Sequence, residues 1–108
     1  MKLKILGRDY KVVVVPEDDH NLDGADGRCS FWSGMIWVSD CSAWGEETRE
    51  AYYRQILRHE IIHAFLFESG MAYNSASAEH WAMNEEMVDW FAIQGPKVLK
   101  IWEQAGCL

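Results

Sequence analysis

His59, Glu60 and His63 are the residues of this chain whose types and spacing are suited to chemistry, within the stretch RHEIIHAFLFESG at residues 58 to 70. On an α-helix, side chains four apart lie one above the other on the same face. Two imidazoles so placed aim their nitrogens at a single point about 2 Å from each, the bond length that a zinc ion requires. Glu60 is one residue past His59 and three before His63, so it falls beside the pair. From there its carboxylate reaches a water held on the metal without itself being a ligand. This is the H-E-x-x-H arrangement, in which two histidines hold Zn2+ and the glutamate is the general base of a hydrolysis. The plainer alternative is an amphipathic helix with two satisfied histidines. Average residue frequencies place the motif in a chain this short only about once in several hundred sequences. Ile61, Ile62, Ala64 and Phe65 pack the back of the helix and leave its polar edge to a cleft.

A catalytic zinc site takes three protein ligands and leaves a position for water. No third histidine follows His63 at H-x-x-G-x-x-H spacing; the chain continues AFLFESGMAY. The next donors lie in NEEMVDWFA. Glu85 and Asp89 are four apart and share a helix face. Glu85 is thereby the candidate third ligand, and Asp89 the acceptor for the outer nitrogen of a ligating histidine, which fixes its tautomer and raises its basicity. Glu86 is the rival third ligand, with Met83 and Trp90 as helical neighbours expected in the core. Glu68, five residues after His63, is expected at the surface. A closed structural site is the remaining metal alternative, with Cys29 or Cys41 as a fourth ligand.

These residues need elements to position them. KLKIL and YKVVVV are β-branched, alternating or continuous apolar runs, joined at Gly7-Arg8-Asp9 by a hairpin turn. Pro16 ends the second strand. EDDHNLDGADG, residues 17 to 27, is a polar loop without the alternating ligands and closing glutamate of a calcium loop. CSFWSGMIWVSD predicts a third strand, strongest over Met35 to Ser39, with Gly34 marking a bulge or the close approach of another backbone. From Glu46 the period changes. Apolar residues at Tyr52, Ile56, Ile62, Phe65 and Leu66 predict a long helix. Glu46 and Glu47 favour its start through the macrodipole, and Gly70 supplies a left-handed stop. A second helix is predicted from about Glu79 to Gln94, ending at Gly95-Pro96, then a short amphipathic tail, KVLKIWEQ. The expected fold class is α+β, with a small, mainly antiparallel sheet and two helices carrying the site.

A chain of 108 residues forms a single domain, residues 1 to 108, with one modest core. Its net charge of −7 repels a polyanion and argues against nucleic acid as a partner. It contains no apolar run long enough for a transmembrane span. MKLKILGRDYK lacks the apolar stretch of a signal peptide, and three widely spaced cysteines do not form a disulfide framework. The expected location is therefore the reducing cytoplasm. Most of the six tryptophans are expected in the core or lining a cleft.

HEIIH followed on a second helix by NEEMVDW resembles the glutamate-zincin metallopeptidases, in which H-E-x-x-H is completed by a glutamate within E-x-x-x-D. The small scale, the HAFLFESG continuation and the VDWFAIQ helix look like compact phage- and prophage-encoded zinc peptidases, loosely related to the ImmA/IrrE group. The resemblance covers roughly residues 29 to 97. It implies a zincin-like fold and a zinc-dependent peptidase. It also implies that the strand near Met35 to Ser39 forms the sheet edge by the cleft, where a substrate peptide pairs as an added strand. Larger relatives carry a histidine or tyrosine that stabilises the tetrahedral oxyanion; here the candidates are His80 and Tyr73. The alternative function is a zinc-containing module that binds a peptide or protein with little or no cleavage. Substrate and oligomeric state are not encoded in any of these residues.

Overall fold

The structure is a computed structural model, and it describes residues 1 to 73 and 85 to 108, with the side chains of Tyr73, Glu85, Val88, Asp89 and Ala92 outside the description. Four strands and two long helices follow in the order β1 (Lys2–Ile5), β2 (Arg8–Val15), β3 (Gly27–Ser30), β4 (Met35–Ser39), α1 (Glu46–Glu68) and α2 (Glu85–Ala105). Short 3-10 turns occupy His20–Leu22 and Met71–Tyr73. The domain is α+β, and the sheet is mostly antiparallel.

The sheet order is β1-β2-β4-β3. β1 and β2 form the expected hairpin, Leu3 opposite Tyr10 and Ile5 opposite Arg8, so the turn falls on Leu6-Gly7, one residue earlier than expected. β2 ends at Val15, directly before Pro16. The stretch 29 to 40 is not one strand. It holds most of a hairpin, β3 and β4 pairing antiparallel around residues 31 to 34. Gly34 makes this turn, with φ +65°, and a Cβ there would lie 2.9 Å from the carbonyl oxygen of Asp9. Close approach of a second backbone is thus the reason for glycine at this position. β4 pairs parallel with β2 through Lys11–Met35 to Val15–Ser39. That pairing places Met35 to Ser39 inside the sheet and corrects the expectation of an edge; among the described residues the edge strands are β1 and β3, and β3 is the one beside Glu60.

Alternation explains which face carries the helices. Leu3, Ile5, Tyr10, Val12, Ile36 and Val38 are buried on one side of the sheet, against Ile56, Leu57, Ile61, Ala64 and Phe65 of α1. The opposite face carries Lys2 and Lys4 paired with Asp9 at 3.4 and 3.8 Å. α2 contributes Trp90, Val98 and Ile101 to the same core. It runs straight through Gly95 and Pro96, where the sequence predicts a stop. The residue before a proline is normally barred from helical geometry because its Cβ strikes the ring, and Gly95 has none. Burial of Val98 and Ile101 then holds the segment beyond Pro96 in place, so helix and tail are one element. The predicted start at Glu79 lies outside the described residues.

Among the described tryptophans Trp90 is buried and Trp102 packs against the core, whereas Trp37 is half-buried and Trp32, at 82%, and Trp44 are exposed, so the expectation that most fill the core or a cleft holds only in part. Trp32 sits on the β3–β4 turn, where no layer covers it. Glu68 is likewise not a surface residue. It is largely buried and accepts hydrogen bonds from Arg8 Nη1 at 3.0 Å and from the Tyr10 hydroxyl at 2.6 Å. This ties the end of α1 to β2. The Tyr10 side chain is fully buried, and burial together with the Glu68 carboxylate pushes its pKa far above the usual phenol value. Tyr10→Phe leaves the packing but removes a hydrogen bond to a charged acceptor. Urea unfolding should show a loss of about 1.5–3 kcal/mol.

Candidate metal centre

His59, Glu60 and His63 occupy the third quarter of α1, where the helix passes under the edge strand. The two imidazoles lie one turn apart, as the spacing predicts, meeting edge to face with ring centroids 4.7 Å apart. Their Nε2 atoms converge to 3.0 Å. At this distance one neutral ring donates its N–H to the other, or both lone pairs face one cation. With metal–nitrogen bonds of about 2.0–2.1 Å, the separation corresponds to an angle of roughly 95° at the cation, somewhat narrower than tetrahedral. Both histidines are exposed on the outer face of the helix, open to a ligand. His63 is nonetheless partly desolvated, and burial followed by its neighbour His59 holds its pKa below the usual imidazole value.

Glu60 stands in a different environment. It is only 5% exposed, one of two buried polar or charged residues among those described. Burial alone pushes its carboxyl up to about 7. The burial comes from β3. A Cβ on Gly27 would lie 2.6 Å from Ile56 Cγ2 and 2.9 Å from both Cγ and Oε1 of Glu60. Gly27 therefore lets the edge strand lie directly on the carboxylate. Gly27→Ala forces Ile56 or Glu60 to shift, and an overpacked core of this kind costs about 1–3 kcal/mol. Thermal unfolding should reveal the loss, whereas Gly45→Ala, where nothing lies within 4 Å of an added Cβ, should fall well short of it.

Two cavities flank the histidine pair. One, of about 270 Å³, is lined by Asp26, Gly27, Tyr52, Gln55, His59 and Glu60 among others. In it the Tyr52 hydroxyl donates to Asp26 Oδ2, and the ring packs on Trp44 with centroids 4.3 Å apart. The other, of about 220 Å³, is lined by Phe31, His63, Leu66, Met71, Ala72 and Met87. Met87 belongs to the first turn of α2, so that turn lies beside His63.

The expected partners of the pair stand as follows. Glu85 begins α2 and Asp89 lies one turn on, but both side chains fall outside the described residues. Glu86 is exposed, and among the described residues no group of three His, Cys, Asp or Glu side chains is gathered around one point. Neither Glu86 nor a cysteine therefore joins His59 and His63. Cys41 and Cys107 are buried in the core, Cys29 is half-buried with its thiol pushed up to about 12 by burial and then by Glu60, and all three are free. A closed site using Cys29 or Cys41 has no support in this geometry. Tyr73 ends the 3-10 turn with its side chain outside the description, and His80 lies wholly outside it.

Sequence reasoning missed Gly27, Asp26, Phe31 and the hydroxyl of Tyr52. Tyr52 stands two turns before His59, which puts its ring on the same helix face; that spacing was a readable signal. The other three reach the site only because β3 crosses α1, and no local pattern carries that crossing. No protein-family model, no curated protein and no solved structure matches this chain.

Proposed function

We propose that this protein is a zinc-dependent peptidase with a zincin-like site, in which His59 and His63 are metal ligands and Glu60 is the general base. One observation carries the reading: two imidazole nitrogens 3.0 Å apart on an exposed helix face, beside a buried carboxylate on the same turn. A pair of histidines needed only for packing has no reason to meet nitrogen to nitrogen at the surface. A carboxylate needed only for solubility has no reason to be buried.

His59 and His63 are donors that suit zinc; Glu85 would complete the set and Asp89 would orient a histidine, both on α2, whose Met87 lines the cavity at His63. Zinc, when bound, polarises a carbonyl and brings the pKa of a water from about 15.7 toward 7. The chain's own groups do the rest. Glu60 takes a proton from the attacking water and returns it to the leaving amine, a task best served by a base poised near neutrality. Gly27 and Ile56 shield it from solvent, which favours that poise. The outer edge of β3, beside Glu60, offers backbone groups to which a peptide adds as a strand. His80 or Tyr73 would serve as the oxyanion donor. The substrate is a peptide or an unfolded protein segment.

The test is direct. Protein purified without chelator should carry one zinc per chain by mass spectrometry or atomic absorption, and should cleave an unfolded protein or a peptide library. Cleavage should stop on treatment with a chelator and return with zinc. A folded protein that binds no zinc defeats the reading. Zinc binding with no cleavage of any library member leaves the non-cleaving binding module as the function.

A further inference from the structure

We infer that the site selects an extended peptide carrying a basic side chain at one end of the bound segment and a large apolar one about four residues away. The inference rests on a peptide lying at the site, as the peptidase reading requires, and goes beyond it by naming the substrate class.

The two cavities beside the histidine pair are opposite in chemistry. The one at His59 carries the Asp26 carboxylate, the Tyr52 hydroxyl that donates to it and the Gln55 amide, and among the described residues none of its lining is Lys or Arg. A cation is the side chain this wall complements. Among the described residues, the cavity at His63 is walled by Phe31, Leu66, Met71, Ala72 and Met87, with the imidazole as the one ionisable side chain. Its apolar surface continues outward through Phe31 stacked on Phe67, with centroids 4.4 Å apart, to the exposed Trp32 edge-on to Phe67 at 5.7 Å. A Leu, Met or Phe side chain is the occupant such a wall favours.

The edge strand connects them. Gly27, the first residue of β3, lines the cavity at His59, and Phe31, directly after its last, lines the cavity at His63. Four residues of extended chain span about 13 Å. Side chains four apart on a strand point to the same face, so a peptide paired with this edge presents residues i and i+4 to the two cavities together. The middle one of the three residues between them comes opposite Cys29, between the two cavities that flank the histidine pair, where the scissile bond would lie. Selection at both ends needs no rearrangement of α1 or β3.

The probes are fluorescently labelled decapeptides with Lys and Leu four apart in both orders, and matched peptides with Glu for Lys or Ser for Leu. Cleavage is followed with the zinc-loaded full chain, and binding by anisotropy with its Glu60→Gln variant. One order should lead. Replacing Lys by Glu should lower kcat/KM and affinity about fivefold, because Asp26 is exposed. Replacing Leu by Ser should lower both by about 10- to 200-fold. Asp26→Lys, at an exposed position, should invert the first ratio and leave the second; a merely structural role for Asp26 would move neither. Cleavage without either preference, or an Asp26→Lys variant that keeps the preference for Lys, overturns the inference and spares the peptidase reading. The same ranking in binding with no cleavage by the unsubstituted protein overturns the peptidase reading and spares the inference.

Discussion

Glu60→Gln should abolish hydrolysis, keep zinc and make the metal-free protein more stable at pH 8. The loss of activity should be about 10²- to 10⁴-fold, the usual worth of a positioned general base. The gain in stability follows from burial. In the folded chain the carboxyl is pushed up to about 7 from its ordinary 4.5, because the ionised form loses its water under Gly27 and Ile56. A raised carboxyl pKa means that the folded state holds the proton more tightly than the unfolded one. Stability of the metal-free protein is therefore full below pH 4.5, falls as pH rises toward 7, and stays low above it. The span corresponds to about 3 kcal/mol. Glutamine has the same shape and no charge, so the variant should lack this fall. Urea titrations at pH 5 and pH 8 in the presence of chelator measure it: the unsubstituted protein should lose stability between the two and Glu60→Gln should not. Equal behaviour of both proteins would show that the carboxylate is not held in a costly environment, and unchanged cleavage by the variant would remove it from the mechanism.

His63→Ala should lose zinc binding, and with it every metal-dependent gain in stability. His63 is exposed, so the substitution leaves no cavity and should change the metal-free protein by no more than about 0.5 kcal/mol. With free zinc at about 100 times the dissociation constant, the unsubstituted protein should gain about 2.7 kcal/mol. The variant should gain almost none, because a single imidazole on one helix face has lost the partner nitrogen 3.0 Å away. Thermal melts with and without zinc, alongside zinc content, read both quantities. A variant still stabilised by zinc to the same degree would move the metal elsewhere on the chain.

The two substitutions report on different parts of one turn. Glu60 faces the sheet and its effect is electrostatic and internal, whereas His59 and His63 face outward and act only through what they bind. Glu60 is thus largely shielded from bulk solvent yet still borders the cavity it shares with His59, while the ligand face stays open. That separation is a consequence of 100° steps along α1: Glu60 shares its side with Ile56, Leu57, Ile61 and Ala64, all buried. A base on the wet side of the helix would keep an ordinary carboxyl pKa and would be a weaker acceptor for the proton of the attacking water.

Much of the framework was legible in the residues because its causes are local. Alternation in KLKIL and YKVVVV marked the hairpin, Pro16 its end, and the 3.6-residue period from Glu46 marked α1, which stops at Glu68 two residues before Gly70, at φ +84°. The meeting of His59 and His63 required nothing beyond helical spacing. The helix stop predicted at Gly95-Pro96 failed for an equally physical reason: the glycine relieves the clash that proline normally makes, and the buried Val98 and Ile101 outweigh the missing hydrogen bond. Glu68, polar and near a helix end, read as surface because its partners Arg8 and Tyr10 are some 60 positions away in the chain.

By itself, then, the sequence determined the first hairpin, α1, the α+β class and the two imidazoles on one face, since each depends on contacts within a few residues. Only the tertiary structure decided that β4 lies inside the sheet and β3 at its edge, because strand order is set by which apolar faces meet rather than by any one strand's pattern. The same packing put Gly27 over Glu60 and opened an acidic cavity at one end of the pair and an apolar one at the other. Long-range burial gives a carboxylate its proton affinity, and no spacing rule along a single helix contains it.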